Sequence, residues 1–165
     1  MDLVKMGLVR GYPDNTIRPD NNITRAEAIV VIVKALGYKE SKNINMKFGD
    51  MASIPDWAKG YIQTAVDLGI IHGYEDNTIR PNNKITRAEM VVVLVNAFKL
   101  SRIGNVEISF TDSQAIPGWA MECVEKAYSN GIIKGYEDKS FMPGKNITRA
   151  EAFTMIRKCL MLNNN

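Results

Sequence analysis

The five residues Ile-Thr-Arg-Ala-Glu occur three times in this chain, at 23–27, 85–89 and 147–151, and the two intervals are both 62 residues long. A fixed period of this kind marks a chain assembled from copies of one supersecondary unit. Whatever the fold, it must hold the same unit three times. Every position can then be judged against its two equivalents.

The middle copy is complete and divides into four parts. A lead-in segment, 48–55, ends in Pro55, which suits the first turn of a helix because no amide donor is needed there. A first helix then runs to about Leu68, with Ala58, Ile62, Ala65 and Val66 on one face. Gly69 before Ile70 reads as a glycine cap with an apolar residue behind it. A loop over 73–84 follows, rich in the turn formers Gly, Asp, Asn and Pro. Ile70–Ile71 and Thr78–Ile79 could pair briefly across it, but little strand is expected. The second helix begins at Thr86. Its run Met90–Val95 is apolar nearly all round, which predicts a central, buried helix. The runs Ile29–Val33 and Phe153–Ile156 read the same way.

The third copy repeats this plan. The first copy starts inside its first helix and has no lead-in segment and no counterpart of Trp57. The copies fall at 1–40, 46–100 and 108–163, with polar connectors at 37–47 and 101–107, and together they are expected to form one compact unit. Three second helices that bury one another at a common axis favour a closed three-lobed bundle, because an open stack would leave an apolar face bare at each end. The truncated first helix should leave Leu3, Val4 and Met6 uncovered.

Composition narrows the function. A net charge of +3 is too slight for the strongly basic face of a nucleic-acid binder. The apolar run Met90–Val95 is far too short to insert in a membrane. The N-terminal stretch has no basic region leading into a long apolar core, so no signal peptide is read; if the protein works outside the cell, this chain is part of a longer precursor. Cys123 and Cys159 stand where the middle copy has Tyr61 and Ala97, so the repeat does not require cysteine, and buried free thiols are expected. His72 is the one histidine, with Arg10 and Lys134 at its equivalents, and no cluster gives it a catalytic or metal role. The loop containing Asp76 and Asn77 lacks the twelve-residue calcium pattern ending in Glu and reads as a tight turn. No carboxylate pair or nucleophile–base pair stands out, so no enzyme activity, cofactor or metal is expected.

The repeated motif has a structural reading that accounts for most of it. Thr24, Thr86 and Thr148 are N-caps, and Glu27, Glu89 and Glu151, three residues on, complete capping boxes. Arginine is not explained this way. Arg25, Arg87 and Arg149 fall at the first helical position, where the helix dipole disfavours a cation. Each either bridges to a carboxylate of a neighbouring copy or, beside free helix amides, makes a fork for a carboxylate or phosphate. Trp57 and Trp119 occupy equivalent places at the start of a first helix, next to the polar lead-in and away from the middle of the apolar face. An indole there can offer a face to a sugar ring. Gly11, Gly73 and Gly135 permit a special backbone conformation or a close approach.

Taken in order, the aromatic-x-Asp lead-in (Phe48–Asp50, Phe110–Asp112), the helix Trp, the Gly-Ile-Ile-x-Gly-Tyr turn, the Asn-Thr-Ile-Arg-Pro loop and Ile-Thr-Arg-Ala-Glu resemble the repeats of the S-layer homology family over nearly the whole chain. The resemblance implies a mainly α fold of three helix–loop–helix repeats in a pseudo-threefold bundle with a central three-helix core. It implies an extracellular module at the cell wall or S-layer that anchors a bacterial surface protein non-covalently to secondary cell-wall polysaccharide. Pyruvylated N-acetylmannosamine is often the sugar bound, in grooves between repeats. The family's arginine falls on Arg25, Arg87 and Arg149, its tryptophan on Trp57 and Trp119, and its lead-in aspartate on Asp50 and Asp112. Gly11, Gly73 and Gly135 complete the expected ligand-binding set. On this view Arg87→Ala weakens wall binding and changes stability by no more than about 1 kcal/mol. The alternative from another class is a self-association module, in which another chain supplies the missing helix and makes a homo-oligomer through the incomplete first repeat.

Overall fold

The computed structural model describes residues 3–9, 11, 12 and 14–163. Its five helices are α1 (Arg25–Ala35), α2 (Asp56–Asp67), α3 (Arg87–Phe98), α4 (Gly118–Ser129) and α5 (Arg149–Asn163). One turn of 3-10 helix precedes each of α2 and α4, at Met51–Ser53 and Ser113–Ala115. Among the described residues there is no strand, only isolated bridges ahead of the second helices.

The helices begin and end where local chemistry dictates. Thr24 accepts from the Glu27 amide at 3.2 Å while Glu27 accepts from the Thr24 amide at 2.8 Å, and the reciprocal pair recurs at Thr86–Glu89 and Thr148–Glu151. A cap of this kind stabilises a helix by about 1 kcal/mol. The first helices stop at Gly69 and Gly131, both left-handed at φ +66° and +69°. Behind them the Ile70 and Ile132 amides donate to Ala65 O and Ala127 O at 2.9 Å. These bonds, each reaching back five residues, need the chain to reverse sharply, which glycine allows without a Cβ penalty.

The copies close into a ring. The Ile85 amide donates to Ile23 O, that of Ile147 to Ile85 O, and that of Ile23 to Ile147 O, at 3.1, 3.2 and 3.1 Å. A linear stack would leave the first and third copies apart; here they are bonded directly. The three isoleucine side chains are fully buried, and α1, α3 and α5 each touch the other two. This is the mutual contact that the apolar runs predicted.

Each first helix packs on the second helix of the copy before it, α2 on α1 and α4 on α3, whereas α5 touches only α1 and α3. Its surface follows suit. Thr154 and Arg157 are exposed on α5, where the equivalents Val30, Val33 and Val95 are buried. The run Phe153–Ile156 is therefore not buried all round as its neighbours are. Val4 and Met6 are exposed as expected, but Leu3 is not: its carbonyl ties down the Leu8 and Val9 amides and its side chain joins the core. The first connector also packs. Ser41 N–H donates to Gly60 O at 3.0 Å, and the buried Gln63 accepts from the Asn45 and Met46 amides at 2.8 Å each. Cys123 and Cys159 are free thiols.

Candidate functional site

Three grooves lie between the copies, of about 690, 600 and 310 Å³. The first is lined by Tyr12, Glu27 and Lys34 of copy one, Arg149 of copy three and Trp57 of copy two. The second takes Tyr74, Glu89 and Asn96 from copy two, Arg25 from copy one and Trp119 from copy three. The third takes Tyr136, Glu151 and Lys158 from copy three and Arg87 from copy two, with no tryptophan. All three copies thus build each of the first two grooves. A tryptophan meets neither the arginine of its own copy nor that of the copy before, but that of the copy after it in the ring. The third groove is the smallest of the three and has no tryptophan in its lining.

Both tryptophans are exposed, Trp57 by 54% and Trp119 by 61%, so neither serves as core. The arginines are the reverse: Arg25, Arg87 and Arg149 are 8%, 7% and 5% exposed. The helix amides beside them are not free. Arg25 and Ala26 N–H donate to Asn83 O and Pro81 O of the next copy, both at 2.9 Å, and the pattern repeats for Arg87 and Ala88 and for Arg149 and Ala150. The anion site expected from open amides is therefore not available. The same carbonyls, aimed at the helix start, offset the dipole penalty on the cation.

Each motif arginine lies against the tyrosine of the next copy: Arg25 over Tyr74 at 4.9 Å, Arg87 over Tyr136 at 4.6 Å and Arg149 over Tyr12 at 4.9 Å. Beyond that they differ. Arg149 donates through Nε to Ile17 O at 2.8 Å and through Nη1 to Glu27 Oε1 at 3.0 Å. Arg87 donates to Lys134 O at 2.7 Å and to the Tyr136 hydroxyl at 3.2 Å, leaving its buried Nε without a partner. These contacts make Arg87 part of a junction between copies, so its removal costs more stability than a bare first-turn cation would. Among the described residues Arg25 makes the ring contact and no hydrogen bond, and its buried Nε has no partner.

The sequence reading gave the tyrosines no role and the glutamates only that of capping boxes, although a tyrosine follows Gly11, Gly73 and Gly135 in every copy. Their hydroxyls donate to the capping-box glutamates, Tyr12 to Glu27 at 3.1 Å, Tyr136 to Glu151 at 2.6 Å, and Tyr74 to Glu89. Burial, then the bond to Glu89, pushes the Tyr74 hydroxyl up to about 12 and keeps it a donor. Arg18 and Arg80 also sit 4.1 Å over Tyr12 and Tyr74, each bridged to Asp14 or Asp76 at 2.8 Å. Copy three has Met142 at that position. Lys145, where the other copies have asparagine, restores the cation, 4.2 Å over Tyr136 and 3.2 Å from Glu151. Burial opposes the charge on Glu151, but Tyr136, the Thr148 amide and Lys145 together hold its carboxyl below its ordinary value.

Asp50 and Asp112, expected at the ligand, line none of the three grooves. Asp50 accepts from the Ile79 and Arg80 amides at 2.9 and 2.7 Å, and Asp112 from the Phe141 and Met142 amides at 2.7 and 2.8 Å. They pin the loop where Arg80 and Met142 adopt positive φ, 50° and 55°. Gly11, Gly73 and Gly135 do line the grooves. Their reason is close approach: a Cβ on Gly73 would sit 2.6 Å from Phe48 Cε1 and 2.8 Å from Thr78 O, and one on Gly11 2.9 Å from Thr16 O. Among the described residues no group of acidic, histidine or cysteine side chains could hold a metal ion, and no helix is long and apolar enough to cross a membrane.

The chain is similar to three proteins of Acetivibrio thermocellus. It is 37% identical over 164 residues to Cell surface glycoprotein 1, 36% over 159 residues to Cellulosome-anchoring protein and 35% over 167 residues to Exoglucanase XynX, covering 92%, 92% and 99% of this chain. It spans only 7%, 35% and 15% of the lengths of those proteins. The family model for the S-layer homology domain matches residues 1–29, 47–91 and 109–153, the three copies in turn. The chain belongs to the S-layer homology domain family.

Proposed function

We propose that this unit anchors a surface protein to a bacterial cell wall by holding acidic secondary cell-wall polysaccharide in the grooves between its copies. The observation that carries the reading is the pairing of an exposed indole with a buried guanidinium in the same groove, Trp57 with Arg149 and Trp119 with Arg25. An indole face covers the apolar side of a sugar ring, and a guanidinium fork takes the carboxylate of a pyruvyl ketal. Asp50 and Asp112 act from behind, by fixing the loops that carry the groove tyrosines. Gly11, Gly73 and Gly135 let those loops approach closely.

The relatives favour anchoring over catalysis. A surface glycoprotein, an anchoring protein and an exoglucanase share this unit as a minor part of their length, so what they share is not glucanase chemistry. The whole protein acts outside the cell on this reading. Two indoles for three arginines allow at most two complete sugar sites among the described residues. The test is sedimentation with purified cell walls before and after the non-peptidoglycan polymer is stripped. Binding to intact walls alone supports the reading; equal binding to stripped walls refutes it.

A second reading, self-association, is favoured by one observation: among the described helices none packs on α5 from outside as α2 and α4 pack on α1 and α3. Light scattering tests it, since a mass of one chain across the concentration range of wall binding would rule it out.

A further inference from the structure

The third groove differs from the other two in kind. Its lining has no indole, and its charge is one-sided. We propose that this groove binds a phosphate dianion, free or as a phosphomonoester, held by Lys134 and Lys158. The proposal does not rest on the sugar reading of the first two grooves, and it assigns a different ligand to a surface that reading leaves without one.

The two lysines come from positions where the copies differ. Lys134 stands where copy two has His72, and Lys158 where it has Asn96. With Arg87 they give the described lining three cations against one carboxylate, Glu151. Glu151 is already answered. Its Oε1 accepts from Lys145 at 3.2 Å and from the Tyr136 hydroxyl at 2.6 Å, and its Oε2 from the Thr148 amide at 2.8 Å. The second groove has the opposite balance, Arg25 and Arg80 against Glu75, Asp76 and Glu89. The described lining of the first is even, Lys34 and Arg149 against Glu27 and Glu40. The field therefore favours an anion most in the third groove.

The donors left over suit a phosphate. An ammonium carries three hydrogens, and Lys158 Nζ spends two of them, on Gly131 O at 2.8 Å and Ile132 O at 3.1 Å. Those bonds hold the lysine against the segment that leads to Lys134 and leave one hydrogen for a ligand. Lys134 is exposed, and the exposed Thr154 adds a hydroxyl to the same lining. Arg87 adds its charge from a buried position, with its Nε unpartnered. The cations crowd one another: burial, then the charges of Lys134 and Arg87, hold the Lys158 ammonium below its ordinary value. An anion that meets several donors at once relieves such a cluster. A phosphate dianion brings three acceptor oxygens and two charges, whereas a carboxylate brings two oxygens and one charge and is satisfied by a single guanidinium fork. At about 310 Å³ the groove is at the small end for a ligand pocket, which suits a compact anion.

The test follows the backbone amide signals of residues 132–136 by NMR in the full chain. Inorganic phosphate is titrated at constant ionic strength, beside methyl phosphate, dimethyl phosphate and acetate. The signals should shift saturably with inorganic phosphate while the indole signals of Trp57 and Trp119 stay in place. Dimethyl phosphate and acetate should bind at least roughly fivefold more weakly. Methyl phosphate binding as tightly as the free ion assigns the groove to a phosphomonoester end group; binding of inorganic phosphate alone assigns it to the free ion. Lys134→Gln should weaken phosphate binding about fivefold or more and, its side chain being exposed, leave the melting temperature within a few degrees. Lys158→Gln should weaken binding as well, with some loss of stability from the two carbonyls it ties. A response to acetate or dimethyl phosphate equal to that of phosphate, a drift that never saturates, or full affinity in Lys134→Gln overturns the proposal.

Discussion

Replacing Arg149 with alanine should loosen the ring at its closure. The side chain is 5% exposed and joins residues far apart in the chain, donating to Ile17 O at 2.8 Å and to Glu27 Oε1 at 3.0 Å. It also lies 4.9 Å from the Tyr12 ring and 5.1 Å from that of Phe153. Hydrogen bonds to charged groups contribute about 1.5–3 kcal/mol each. The loss is smaller than two such bonds, because Glu27 is 20% exposed and keeps the Tyr12 hydroxyl and the Thr24 amide as partners. A destabilisation of about 2–3 kcal/mol remains, which lowers the melting temperature of a chain this size by roughly 5–10 °C. Urea unfolding followed by circular dichroism measures it, with Arg25→Ala alongside. A loss under about 1 kcal/mol, or one no larger than that of Arg25→Ala, would refute this role of Arg149 in closing the ring.

Three further outcomes follow from the same geometry. Asp50→Ala strands the Ile79 and Arg80 amides and should cost about 2–3 kcal/mol in urea unfolding, with Asp50→Asn recovering part of it. Lys145→Asn removes the cation over Tyr136, and Met142→Arg in that background should restore roughly 0.5–1 kcal/mol; a double variant no more stable than Lys145→Asn alone would break the proposed exchange between positions 142 and 145. Burial pushes the Cys159 thiol up to about 12 and raises that of Cys123 as well, so at pH 8 a thiol reagent should modify Cys159 only after denaturation, and rapid modification of the native chain would contradict its burial.

Much of this was legible in the sequence because the repeat supplied its own controls. The capping boxes, the glycine stops at Gly69 and Gly131 and the mutual burial of the second helices all rest on local chemistry or periodicity. What local pattern could not give was where the chain spends its groups across copies. The free amides at Arg25, Arg87 and Arg149 are filled by carbonyls of the following copy, and nothing near them in sequence announces it. Asp50 looked like a ligand residue because it is polar and recurs at Asp112; its partners, the Ile79 and Arg80 amides, come much later in the chain. The groove tyrosines were visible as Gly-Tyr pairs, but their role depends on an arginine from another copy. The exchange of Arg80 and Asn83 for Met142 and Lys145 could be seen by aligning the copies, yet only the fold brings both positions to one ring.

The central claim is that three copies jointly build each sugar site. A crystal structure of the chain with a pyruvylated N-acetylmannosamine fragment tests it most directly. The account predicts a sugar ring against Trp119, its ketal carboxylate at Arg25 and its remaining edge on the copy-two wall around Tyr74 and Asn96. A fragment held by residues of one copy alone, or seated away from both tryptophans, would contradict it.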